Sequence, residues 1–341
     1  MNILFTSVGR RGYLLEYFRN ALAGKGQVHA ANSSPDVPAF YYADKTVITP
    51  LIYSADYIDF IFDYCLHENI RAVIPLFDID IPILAAQHDK FNDAGIKIIA
   101  PSLDKSIICN DKLKTAKFLS RRGYLTPATF ISLNAVYEAL DRKDIRFPLI
   151  IKPRWGMGSI GVQKVSNLDE LIVIFSIVRR EVLATYLKYE SAIDINGAVI
   201  VQNMLPGQEF GLDVVNDLDG KYMTTFVKRK VAMRSGETDI AKIENDQALI
   251  DLGARIGSDI GHLGNLDVDV FKYRDQVYVL ELNARFGGGY PFSHLAGADV
   301  PKAIVNWLIG KSIKPEWLTV ADAVVGFKDI KIRKMCEKNT A

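Results

Sequence analysis

The stretch KPRWGMGSIGV, residues 152–162, decides how the rest of the chain is read. Gly156, Gly158 and Gly161 spell G-x-G-x-x-G. That spacing suits a dinucleotide-binding turn, the glycine-rich loop of a kinase, or a flexible flap over phosphates. A dinucleotide turn must open a helix, because the pyrophosphate rests on the helix N-terminus. Here "VQKV" follows Gly161 with strand propensity, so the glycines are expected to turn a β-hairpin. The turn after the first strand, Ser7–Gly12, has the spacing G-R-R-G and also fails the fingerprint. A kinase loop continues G-x-V, but Gln163 stands where that valine belongs, and neither H-R-D-L-x-x-x-N nor D-F-G occurs downstream. The G-K-S at Gly310–Ser312 lacks the first P-loop glycine, with Val305 in its place. The phosphate flap remains.

Other segments support the flap. Lys152 closes the apolar run "FPLIIKP" just before it, so its ammonium can reach into a cleft. Gly156, Gly158, Ser159 and Gly161 let backbone N–H groups approach phosphate oxygens. Downstream, "VLELNAR" places Glu281, Asn283 and Arg285 on one face of a strand, since side chains alternate with period two. Two oxygen donors and an arginine on one face suit Mg²⁺ carrying ATP phosphates. On the preceding strand Asp267 and Asp269 also share a face, and one of them can meet Glu281 across the hairpin. Such a carboxylate cluster is costly without a cation.

Around these motifs the chain divides. Residues 1–103 alternate strand-like and helix-like pieces: "NILFT", "VHAAN", "TVIT", "AVIPL" and "IKIIA" as strands, with "ADYIDFIFDYCLHEN" and "IPILAAQHDKFNDAG" among the helices. That alternation implies a parallel sheet, a Rossmann-like module. Residues 104–205 are expected to hold a helix over about 104–122, the glycine hairpin and a long helix over about 168–188. Residues 206–341 are expected to be α+β, with antiparallel strands, a helix around 240–258 and a final strand in "WLTVADAVVGFKDIKI".

Composition narrows the function classes. Hydrophobic residues make up 49% and charged residues 24% of 341, normal for a globular protein, and the net charge of +1 gives no bulk case for nucleic acid or an anionic membrane. The three scattered cysteines, Cys65, Cys109 and Cys336, suggest no disulfide framework. With no signal-peptide pattern and no apolar run of membrane-spanning length, a cytoplasmic location is expected. His29, His67, His88 and His262 have no partners at metal-ligand spacing.

Taken in order, these motifs resemble the ATP-grasp superfamily, and more closely its branch similar to the carbamoyl-phosphate synthase large subunit. The resemblance covers nearly the whole chain. It implies a Rossmann-like pre-domain followed by a two-subdomain ATP-grasp fold. "NDKLKTAKFLSRRGYLTP" is similar to the segment whose lysine, here Lys112, contacts nucleotide phosphates, and Lys152 would be the second phosphate-binding lysine. "IVQNMLPGQEFGLDVV" resembles the adenine hinge. Gln202 stands there in place of the usual glutamate, and its amide oxygen can still accept from the adenine amino group. The backbone of Asn203 and Leu205 would read the adenine edge, and Glu209 would bind ribose.

"GNLDVDVFKYRDQVYVLELNARFGGG" resembles the metal segment, with Asp267, Glu281 and Asn283 as ligands of Mg²⁺ or Mn²⁺ and Arg285 acting on the transferred phosphoryl group. Strand parity leaves Asp269 open, but the place of Asp267 in "GNLD" is more similar to the family's first metal position. The acceptor is expected near Arg10, Arg11, Asp78, Arg234, Gly288 and His294, with Lys230 as an alternative to Arg234. The implied function is an ATP-dependent carboxylate–amine ligase acting on a small carboxylic acid and an amine through an acyl phosphate, with a homodimer allowed. The alternatives are a carboxyphosphate- or carbamate-forming kinase step and a non-catalytic ATP-binding subunit.

Overall fold

The computed structural model describes residues 1–156, 158 and 161–333. Ser159 and Cys336 lie outside the described residues. The first part runs β1 (Asn2–Thr6), α1 (Gly12–Leu22), β2 (Val28–Asn32), β3 (Lys45–Ile48), α2 (Tyr57–His67), β4 (Ile70–Pro75), α3 (Asp80–Ala85), α4 (His88–Asp93) and β5 (Lys97–Ile98). These strands form a parallel sheet in the order β3-β2-β1-β4-β5. β1 reads as a continuous apolar run because both its faces are covered: Ile3, Leu4 and Phe5 are all fully buried.

The second part contains α5 (Leu103–Asn110), α6 (Lys112–Arg121), β6 (Thr129–Phe130), α7 (Leu133–Asp141), β7 (Leu149–Pro153), β8 (Gln163–Val165), α8 (Leu168–Ala184), α9 (Leu187–Ser191) and β9 (Val199–Asn203). β7 and β8 pair antiparallel, with Ile151 opposite Gln163, so the glycine loop does turn a hairpin. The single helix expected over 104–122 is two helices. Asp111 has extended backbone and its carboxylate caps α6, accepting from the Leu113 and Lys114 N–H groups. An aspartate in mid-pattern favours a cap over continuation.

The third part holds β10 (Gln208–Asn216), β11 (Tyr222–Arg234), β12 (Glu237–Ile243), α10 (Gln247–Ile260), β13 (Gly264–Tyr273), β14 (Gln276–Asn283), α11 (Tyr290–Leu295), α12 (Val300–Leu308) and β15 (Val325–Phe327). Its six strands are ordered β14-β13-β10-β11-β12-β15, and every neighbouring pair is antiparallel. The helix expected from about 240 starts instead at Gln247, with Asp246 as its cap, and residues 237–243 are strand. Ile240 and Ile243 have helical spacing, but pairing with β11 on one side and β15 on the other satisfies their backbone.

The parallel sheet and the six-stranded sheet share their cores. Leu4, Ile61 and Ile98 belong to one buried cluster with Leu212, Val268 and Leu282, and Phe5 and Ile74 belong to another with Val215 and Phe286. The lid sheet, ordered β6-β9-β7-β8, has its own core around Ile151, Val178 and Val201. No described helix is long and apolar enough to cross a membrane.

Candidate active site

A cavity of about 600 Å³ opens between the lid hairpin and the six-stranded sheet, with Arg11 reaching it from the parallel sheet. Strand alternation supplies its floor. On β14, Glu281 and Asn283 face one way; on β13, Asp269 lies opposite Glu281 and Asp267 opposite Asn283. On β10, Glu209 and Gly211 share that face, and on β11, Lys228 and Lys230.

Each carboxylate on this floor is held by a cation. Lys152, 4% exposed at the end of β7, donates to Glu281 Oε1 at 2.7 Å. Burial pushes the Glu281 carboxyl up, but Lys152 and Lys112 outweigh it and leave it at about 2. Lys230 donates to both Glu209 and Asp269 at 2.6 Å. Burial raises the carboxyls of both acids despite Lys230. Arg285 is clamped between Asp78, at 3.0 Å, and Asp267, at 3.2 Å, and these acids outweigh burial to keep its guanidinium firmly charged.

Lys112 reaches the loop itself, donating to the Gly156 carbonyl at 2.6 Å. Its position follows from Asp111, which caps α6 and accepts two 2.7 Å bonds from Arg154, the residue just before Trp155 in the hairpin. Gly156 has φ of +98°, and a Cβ there would lie 2.9 Å from Leu187 Cδ2. Both facts require glycine at that position. At the opposite end, Gln202, Asn203, Met204 and Leu205 line the cavity. Gln202 Nε2 donates to Thr129 Oγ1 at 2.8 Å, which fixes the rotation of its amide.

Most residues singled out from the sequence converge here. Lys112, Lys152, Gly156, Gly158, Gln202, Asn203, Leu205, Glu209, Asp267, Glu281, Asn283, Arg285, Gly288 and Arg11 all line this cavity. Asp78 stands behind Arg285 as its buried partner. Gly161 lies at the base of the hairpin against Pro153.

Three expected acceptor residues do not face the cavity. Arg10 is exposed, whereas its neighbour Arg11 turns inward and donates to the carbonyls of Leu76 and Phe286. Arg234 is ion-paired with Asp239 on the outside. Register shifts after Lys230 and after Ala232 break the alternation of β11, so Met233 faces the cavity in its place. His294 stacks on Tyr17 with ring centres 3.7 Å apart. Among the charged residues lining the cavity, Lys164, Lys228 and Glu237 were missed. The parity of "KRK" pairs Lys228 with Lys230 and was a usable signal; Glu237 had none, because it lies in the unassigned segment just before the helix expected around 240–258.

The donor set suits a hard divalent cation: Asp267, Glu281 and Asn283 offer oxygen ligands on one face. Among the described residues no three acidic, histidine or cysteine side chains close on a single point, so phosphate oxygens would have to complete a coordination shell.

The chain matches two family descriptions: PylC-like, N-terminal domain, over residues 3–99, and an ATP-grasp in the biosynthetic pathway with Ter operon, over residues 196–334. The ATP-grasp match thus covers residues 196–334, and over most of its length the chain is similar to carbamoyl phosphate synthase large chains. One such large chain, from Pseudothermotoga lettingae, is 24% identical over 300 residues, which are 84% of this chain and 25% of that protein. The chain therefore spans about a quarter of the length of that curated relative.

Solved structures share the fold. The biotin carboxylase domain of Hydrogenobacter thermophilus 2-oxoglutarate carboxylase, a dimer with MgADP, ADP and bicarbonate, has a TM-score of 0.73 at 15% identity, covering 92% of this chain and 70% of that one. The L-amino acid ligase of Bacillus licheniformis has a TM-score of 0.63 at 18% identity, covering 90% and 74%.

Proposed function

We propose that the protein is an ATP-dependent ligase that joins a carboxylic acid to an amine, releasing ADP and phosphate. One observation carries the reading: Lys112, Lys152, Glu281, Asp267, Asn283 and Arg285 come from separate parts of the chain, yet line one cavity beneath a glycine hairpin. Carboxylates resist amines at neutral pH because the leaving group would be oxide. Phosphoryl transfer removes that obstacle. The bond from the γ-phosphorus to its bridging oxygen breaks, a carboxylate oxygen takes its place, and ADP departs. The amine nitrogen then attacks the acyl carbon, phosphate leaves with the bonding pair, and the nitrogen loses a proton.

The residues divide this work by position and charge. Lys112 and Lys152 neutralise the phosphates. Arg285, kept charged by Asp78 and Asp267, stabilises the group in transfer. Asp267, Glu281 and Asn283 would hold Mg²⁺, which when bound supplies charge neutralisation to the phosphates. The end at Gln202–Leu205 suits an adenine and Glu209 its ribose. Arg11 suits the carboxylate of the acid: it is half-buried and, among the described residues, its guanidinium hydrogen-bonds to the Leu76 and Phe286 carbonyls and to no carboxylate. The hairpin excludes water from the acyl phosphate.

The test is ADP release measured across a matrix of carboxylic acids and amines, with bicarbonate alone as a further arm. Turnover that needs both an acid and an amine supports the ligase. Turnover with bicarbonate alone would replace it with a carboxyphosphate-forming step. In the active combination Glu281→Gln is expected to lower turnover about 10²–10³-fold, the usual cost of losing one preorganised charge-stabilising group.

A further inference from the structure

Lys228 is the most deeply buried lysine of the site. It is 2% exposed, and its partner Asp213 is fully buried. The two form an ion pair, and Asp213 is held in turn by Ser293 Oγ, which donates to it at 2.6 Å. An ammonium carries three N–H donors. Among the described residues none of them finds an acceptor in good hydrogen-bond geometry. A buried donor left in that condition calls for an explanation. Pure charge compensation of Asp213 does not supply one, because the side chain also lines the cavity.

The approach to it is kept open by two glycines. A Cβ at Gly289 would lie 3.1 Å from Lys228 Cε and 3.9 Å from Nζ, and a Cβ at Gly211 would lie 3.5 Å from Cε. Gly211 stands directly between Lys228 and Asp269 across three strands. The ammonium thus lines the cavity beside Gly211 and Gly289.

We propose that Lys228 is an oxyanion-binding residue of this site, giving its spare N–H groups to the carboxylate being activated or to the acyl phosphate made from it. This rests on the ATP-dependent reading above. Asp213 holds the ammonium in place, and Gly289 and Gly211 leave room for the anion to reach it.

The variant that removes both charges, K228M with D213N, avoids stranding either partner in the core. Inorganic phosphate is titrated calorimetrically onto the full chain saturated with MgADP. Wild type is expected to bind phosphate, and the double variant to bind it at least tenfold more weakly. Its melting temperature and MgADP affinity should stay close to wild type. G289A, which crowds the ammonium without touching a charge, should also weaken phosphate binding. Equal phosphate affinity in wild type and the double variant would overturn the proposal, as would no phosphate binding by the MgADP-loaded wild type. Failure of wild type to bind MgADP at all would instead strike the nucleotide reading, and the proposal would fall with it.

Discussion

Glu281 and Asp269 face each other across one rung of the β13–β14 hairpin, yet their carboxyls are driven in opposite directions. Burial raises both, but Glu281 lies between two lysines and ends at about 2, while Asp269 shares Lys230 with Glu209 and stays raised. The signs have consequences. A carboxyl lowered by folding adds stability above its unfolded value, about 4.3, and that contribution disappears as pH falls toward about 2. Carboxyls raised by folding act oppositely, costing stability as pH rises through their folded values. Lys230→Met leaves the half-buried Glu209 and Asp269 without their cation. It should destabilise the protein by about 1–3 kcal/mol near neutral pH. Urea unfolding at pH 8 and pH 5 should show the deficit shrinking at the lower pH, as these raised carboxyls protonate; an equal deficit at both would argue against the triad.

At the scale of elements, the break between α5 and α6 sets the geometry of the phosphate-facing lysine. Asp111 caps α6, accepts both Arg154 bonds and leaves Lys112 on the first turn. Asp111→Ala removes a cap worth about 1 kcal/mol and leaves Arg154 with Asp194 as its remaining carboxylate partner, so a total loss of about 2–4 kcal/mol is expected. MgADP affinity should fall with it, because Lys112 loses its anchor; calorimetry on the folded variant reads this directly. The β7–β8 hairpin makes a second prediction. Its glycines have positive φ and its strands share only three paired rungs. Hydrogen exchange at residues 152–165 should slow on adding MgADP. Unchanged exchange would remove its role as a lid.

Across the whole molecule, the parallel sheet and the six-stranded sheet are not separable bodies. Their apolar side chains interleave in two common clusters, and Arg285 on one side is bonded to Asp78 on the other. Amides of β1 and β10 should therefore exchange with the same opening free energy, whereas the lid, with its own core, can open alone. Native-state hydrogen exchange would reveal two distinct values for β1 and β10 if the sheets unfolded independently.

The periodicities of the sequence determined the sheet types, the glycine hairpin, and the shared face of Glu281, Asn283 and Arg285, because alternation and turn chemistry are local properties of the chain. Local spacing also favoured a helix through Ile240, and the basic run "VKRKVAMR" offered Arg234 or Lys230 to the substrate; tertiary structure decided against the helix at Ile240 and against Arg234. β12 is a strand because neighbours on both sides satisfy its backbone, and bulges in β11 turn Arg234 outward to Asp239 while Lys230, its alternative, faces the cavity. Which cation meets which carboxylate, why Arg11 turns inward while Arg10 does not, and the burial of Lys228 against Asp213 depend on segments far apart in sequence. Only the packing of three sheets around one cavity brings those charges together.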